Sequence, residues 1–164
     1  MRTVLLAVAA LVAPCTAGTN AEGLKFLEEN KGKPGVITLP SGLQYKVLRT
    51  GDGAFHPTAD SSCECHYEGR TAQQYPNGET FDSSYARGSP TSFAPNQVIK
   101  GWTEAMQLMV EGDKWEMYIP YRLAYGEHGK PPKIPAKSTL IFMISITNTS
   151  TSPPLILGGE PLSP

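Results

Sequence analysis

The run Val98-Ile99-Lys100-Gly101-Trp102 lies where an extended pattern gives way to a helical one. Val98 and Ile99 are β-branched and suit an extended segment. From Trp102 onward, Ala105, Met106 and Met109 recur at helical offsets and share a face with the indole. The chain must therefore fold so that a helix with a buried face begins at a Trp, beside two apolar residues on the segment leading in. Such a place can receive a small apolar ring whose neighbouring amide needs a hydrogen bond. Read alone, the same run is most simply a core Trp on an amphipathic helix.

The rest of the chain is built mainly of strands. Residues 43–48, 62–67, 80–83 and 139–147 read as strands. Residues 114–119 alternate cleanly, with Trp115, Met117 and Ile119 on one face and Lys114, Glu116 and Tyr118 on the other. The helix is expected from about Gly101 to Val110, with Gly112 closing it. The 15 Pro and 16 Gly fall mostly as turn punctuation between these segments. A short polar helix is expected over 20–32, capped by Asn20, followed by a linker over 33–42. In the last strand Leu140, Phe142, Ile144 and Ile146 point inward. Ile141 and Met143 make the other face too apolar for open solvent, and the C-terminal segment 153–157 is a candidate to cover it. These elements define an antiparallel α+β domain of several strands, one central short helix and short loops. The expected organisation is a signal peptide over 1–17, helix and linker over 18–42, the domain over 43–148, and a Pro/Gly-containing irregular tail over 149–164.

The N-terminus carries Arg2, an apolar stretch over 4–12, and small residues at Cys15 and Ala17. This pattern fits a secretory signal cleaved after Ala17, with Gly18 or Ala21 as alternatives. The expected compartment is the secretory route: endoplasmic reticulum lumen or exterior, with periplasm or plastid lumen as alternatives. Membrane association after signal removal is not expected. Cys63 and Cys65 are two apart on a strand and point to one face, where a mutual disulfide would be strained, so two buried thiols are expected. His66 and His128 are expected to face solvent. Asn148-Thr149-Ser150 is a glycosylation sequon in a eukaryotic secretory route. A net charge of -1 implies no strong field for nucleic acid.

Cys65-His66-Tyr67, Phe81-Asp82-Ser83-Ser84, Val98-Ile99-Lys100-Gly101-Trp102, Ala124-Tyr125-Gly126, and Ile134-Pro135 leading into Leu140-Ile141-Phe142 stand in a linked order. Their order and spacing closely resemble the FKBP-type peptidyl-prolyl isomerases across residues 43–147. Residues 39–45 and 101–109 look especially like the Mip (macrophage infectivity potentiator) branch. The resemblance implies a strongly twisted antiparallel sheet wrapped over one short helix with an aromatic pocket between them. It implies Trp102 as pocket floor and Tyr67, Phe81, Val98, Ile99 and Phe142 as walls. It also implies an Asp82 carboxylate paired with Arg87, hydrogen bonds to substrate from the Ile99 amide and the Tyr125 hydroxyl, and Ile134 on a flap. Asp82, Tyr125 and Ile99 are the expected catalytic groups. No metal or cofactor is needed, because isomerisation makes and breaks no bond.

The chain departs from the family pattern at the rim. Thr91 stands where many members carry a pocket aromatic, Lys130 and Lys133 occupy flap positions that are often His and apolar, and Gln97 replaces a common Glu. The partners implied are proline-containing polypeptides and macrolides such as tacrolimus and rapamycin. A monomer is expected, since the N-terminal helix is short. Competing readings are a proline-segment binding module or chaperone without turnover, and an assembly factor recognised through Ile141, Met143 and the tail.

Overall fold

The computed structural model describes residues 19–150; the expected signal and residues 151–164 of the expected tail lie outside the described residues. Seven strands are present: β1 (Val36–Thr38), β2 (Gln44–Arg49), β3 (Ser62–Thr71), β4 (Asp82–Ser83), β5 (Thr91–Phe93), β6 (Lys114–Ile119) and β7 (Leu140–Ser150). They form one antiparallel sheet in the order β1-β2-β6-β7-β3-β4, with β5 also pairing β3. Helices α1 (Thr19–Asn30), α2 (Ser84–Arg87) and α3 (Lys100–Met106) accompany it. The expected α+β architecture is present.

The alternation read along the strands is the alternation seen. Trp115, Met117 and Ile119 on β6, and Leu140, Phe142, Ile144 and Ile146 on β7, are buried against Trp102, Ala105 and Met106 of α3. Gly101 permits this packing, because a Cβ there would lie 2.6 Å from Ile119 Cγ2. A helix can approach a sheet this closely only where no side chain intervenes.

Helix α1 covers the outer face at Ile141, while the segment 153–157 expected there lies outside the described residues. Leu27 is buried with Tyr118 and Ile141, and Phe26 sets its ring 5.6 Å from Tyr75 and 5.9 Å from Tyr118. Buried Asn30 donates to Gln44 Oε1 at 3.0 Å, and Gln44 Nε2 donates to the Leu27 carbonyl at 2.8 Å. This pair ties the last helical turn to β2 through the Leu27 carbonyl, which also accepts the Lys31 amide at 3.1 Å. Ile141 is thus a core residue and no recognition surface. The third competing reading loses Ile141.

Other boundaries also differ from expectation. Residues 33–42 are more than a linker, since β1 adds an edge strand there. Asn20 lies inside α1 rather than before it. Helix α3 stops at Met106, and residues 107–113 close as turns in which buried Asp113 accepts from the amides of Val110 at 2.9 Å and Gly51 at 2.7 Å. The carboxylate offers the Val110 amide an alternative to the helical ladder and joins it to the loop at Gly51. Expected strand 80–83 is only Asp82–Ser83, and β7 continues to Ser150, so the sequon Asn148-Thr149-Ser150 is strand rather than tail. His128 is exposed, but His66 is not a free surface residue. It stacks on Tyr85 at 4.6 Å and its Nδ1 lies 3.0 Å from Ser84 Oγ. Cys63 and Cys65 are free buried thiols on one face; burial pushes Cys65 up to about 12.

Candidate active site: an aromatic cavity over Trp102

A cavity of about 660 Å³ opens between α3, β3, β7 and the loop 125–134. It is lined by Tyr67, Phe81, Asp82, Phe93, Gln97, Val98, Ile99, Trp102, Tyr125, Phe142 and the segment Lys130-Pro131-Pro132-Lys133-Ile134. Every expected site residue except Arg87 is in this lining, and Arg87 is held just outside it.

Trp102 is the hub. Its indole meets Tyr67, Phe93 and Phe142 edge-on, at 5.2, 5.7 and 5.0 Å. Phe81 in turn stands edge-on to Phe142 at 5.4 Å. Edge-to-face contact is one of the two favoured geometries for aromatic pairs, worth about 0.5–1.5 kcal/mol each beyond the area buried. Gly69 on β3 makes room for them: a Cβ there would come within 2.5 Å of the Phe142 ring and 2.6 Å of the Phe81 ring. The indole Nε1 is buried with no acceptor among the described residues.

The polar side of the cavity is a three-residue network. Tyr67 Oη donates to Asp82 Oδ2 at 2.8 Å and accepts from Arg87 Nη2 at 2.7 Å, while Arg87 Nη1 pairs with Asp82 Oδ1. Helix α2 returns Arg87 to this position. Ser83 caps it by accepting the Ala86 amide at 3.3 Å, and Gly88 ends it at φ 75°. Ser83 therefore organises the turn, which frees Asp82 to face the cavity. Ser84 Oγ accepts the Tyr67 amide at 2.7 Å and fastens α2 to β3. Burial pushes the Asp82 carboxyl up, but hydrogen bonds from Tyr67 and Arg87 outweigh it and hold the group below the usual carboxylate range. Burial, above all, raises the Tyr67 phenol.

The remaining edge is backbone. Ile99 occupies the N-cap of α3 with extended angles, and its carbonyl accepts the amides of Trp102 and Thr103 at 2.9 and 3.0 Å. Its own amide precedes the helix and has no intrahelical acceptor to reach. Opposite, Lys130 and Ile134 exchange backbone hydrogen bonds at 2.8 and 3.1 Å, closing a flap whose tip is Pro131-Pro132. Lys133 Nζ donates to the Phe81 carbonyl at 3.1 Å, and the Lys130 ammonium lies 5.5 Å from the Tyr125 ring centroid.

Phe93, Gln97 and the two flap prolines were not among the expected site residues. Phe93 was signalled by position: it lies two residues after Thr91 on β5 and so shares its face. Thr91 supplies no wall and instead accepts from Arg87 at 3.3 Å.

A cavity of this kind, on an antiparallel sheet packed over one short helix, defines a class. Residues 53–147 match the family model described as FKBP-type peptidyl-prolyl cis-trans isomerase, and the chain belongs to that family. Residues 10–47 match the model of the domain amino-terminal to such isomerases, which includes α1. Within the family its relatives include Mip-type proteins. The chain is 48% identical over 124 residues to the macrophage infectivity potentiator of Trypanosoma cruzi, covering 76% of this chain and 61% of that protein. It is 49% identical over 128 residues to the Mip isomerase of Coxiella burnetii, covering 77% and 54%. The chain thus spans less than two thirds of these relatives' lengths. Among solved structures it resembles a peptidyl-prolyl isomerase from Pseudomonas syringae, with a TM-score of 0.72 and 34% identity, over 81% of this chain and 94% of that one. FkpA from Escherichia coli superimposes with a TM-score of 0.75 at 36% identity, over 82% and 61%.

Proposed function

We propose that this chain is a peptidyl-prolyl cis-trans isomerase that accelerates rotation about X–Pro bonds in polypeptide clients. The observation that carries the reading is the box of Tyr67, Phe81, Phe93 and Phe142 rings around Trp102, with one carboxylate facing in. A prolyl ring is small, apolar and flat enough to sit on the indole.

The barrier to rotation is about 18–20 kcal/mol and comes from amide resonance. Rotation weakens that resonance, so the transition state is less polar at C–N than the planar ground state. An apolar cavity disfavours the planar amide relative to the twisted one. Rigid walls that fit the ring in the twisted geometry add binding present only at the transition state. Each tenfold in rate requires about 1.4 kcal/mol, within reach of shape and a few hydrogen bonds. In this reading the Ile99 amide and the Tyr125 hydroxyl hold carbonyls of the client. Asp82, kept ionised by Tyr67 and Arg87, sets the field across the rotating bond. Val98 and Ile134 close the walls.

The test is isomerisation of short X–Pro peptides by micromolar chain, with and without tacrolimus. Turnover above buffer that tacrolimus suppresses is expected. Rates equal to buffer, with peptides still bound, establish the non-catalytic binding module instead. We further propose that the clients are met on the secretory route, a reading supported by Arg2, the apolar stretch 4–12 and Ala17. Expression in a secreting host followed by N-terminal sequencing checks it: a mature terminus at Gly18 is expected, and retention of Met1 on an unexported protein overturns it.

A further inference from the structure

We infer that Lys130 and Lys133 bias this site toward polypeptides that carry a carboxylate side chain next to the proline, an inference that rests on the isomerase reading above. The cavity lining holds three formal charges: Asp82, Lys130 and Lys133. Asp82 is neutralised by Arg87. The two lysines are satisfied by neutral groups, the Phe81 carbonyl and the Tyr125 ring, so their charge is not cancelled. Among the described residues, neither ammonium has a carboxylate oxygen within 4.0 Å. The flap carboxylate Glu127 is engaged by Lys137 at 2.8 Å.

The lysines are also positioned. The backbone pair between Lys130 and Ile134 closes the flap, and Pro131-Pro132 fixes two φ angles at its tip. Lys133 spends one of its three N–H groups on Phe81 and keeps two for a client. A second hollow, lined by Thr71, Glu79, Phe81, Pro132 and Lys133 among others, adjoins the cavity across Lys133. A chain leaving the cavity on that side passes this ammonium directly. Glu79 lies in the further hollow and opposes acidic residues there, which confines the preference to positions immediately beside the proline.

The test compares peptides with Glu, Ala or Lys before the proline, and a second set with the same residues after it. At low ionic strength kcat/KM for the Glu peptide is expected to exceed that for the Lys peptide by about threefold to tenfold at one or both positions. The ratio should fall toward one in about 0.5 M salt, where the screening length is only a few ångströms. It should also collapse in the folded K130Q/K133Q variant. Ratios near one at both positions, or a ratio that survives in that variant, overturn the inference. The Ala peptides report separately on the isomerase reading. If no peptide is turned over, calorimetric Kd values for the Glu and Lys peptides decide the charge preference by the same ratio.

Discussion

The Tyr67 hydroxyl joins Asp82 to Arg87: it donates to the carboxylate at 2.8 Å and accepts from the guanidinium at 2.7 Å. One phenol oxygen thereby orients a carboxylate at the cavity wall while its ring meets the Trp102 indole edge-on. The polar and aromatic halves of the site share a residue, so the two can be separated only by changing Asp82 or Arg87.

Asp82→Val should reduce kcat/KM by tenfold or more while costing at most about 1 kcal/mol of stability, because the ion pair it removes is half exposed. Peptide assays and urea denaturation of the same preparation measure both. An unfolded variant would mean that Asp82 is structural.

The pH dependence follows from the sign of the Asp82 shift. Its folded carboxyl is held below the ordinary range. A depressed folded value gives stability that is complete above the unfolded pKa of about 3.9 and lost as pH falls through the folded value. Calorimetry should show the Tm gap between the native chain and Asp82→Asn flat from about pH 5 to 8 and narrowing below about pH 4. A gap that widens on acidification contradicts the assignment.

Gly69→Ala places a methyl against the rings of Phe81 and Phe142. Overpacking of this kind costs about 1–3 kcal/mol. Loss of tacrolimus or peptide binding should exceed what the fraction unfolded explains. A variant that binds normally would show that the two rings can move apart freely.

Gly23→Ala tests the docking of α1. In a free helix Ala is better than Gly by about 1 kcal/mol. Here the new Cβ would lie 2.3 Å from Thr139 Oγ1, on a buried and β-branched side chain. Net destabilisation of about 1–3 kcal/mol is expected in chemical denaturation. A gain in stability would show that α1 does not rest on the sheet.

Cys63 and Cys65 should stay unreactive toward a thiol-specific disulfide reagent at pH 8 in the folded chain, and both should label once guanidinium unfolds it. Fast labelling at Cys63 or Cys65 in the native protein, located by peptide mapping, would place the β3 face in contact with solvent.

Much of this molecule was legible in one dimension. Period-two alternation marked which side chains of β6 and β7 enter the core, since successive residues on a strand must face opposite ways. Trp102, Ala105 and Met106 marked the buried face of α3 by the same geometric necessity at helical spacing. The linked motifs from Tyr67 to Phe142 located nine of the fifteen residues of the cavity lining, the floor and most of the walls, and left Phe93 and the flap tip to the structure.

What the chain could not announce were choices made between distant segments. Whether Ile141 is surface or core depends on α1, more than a hundred residues earlier, arriving over it by way of Gly23, Leu27 and Asn30. The end of α3 at Met106 depends on Asp113 taking amides from both Val110 and Gly51. Phe93 became a wall, and Thr91 an Arg87 partner, only once β5 was in register on β3. Residue pattern alone set periodicity and side-chain chemistry, because those depend on local backbone geometry. Burial, helix length and the composition of the rim were decided by tertiary contacts, because each depends on which remote atoms compete for the same surface or hydrogen bond.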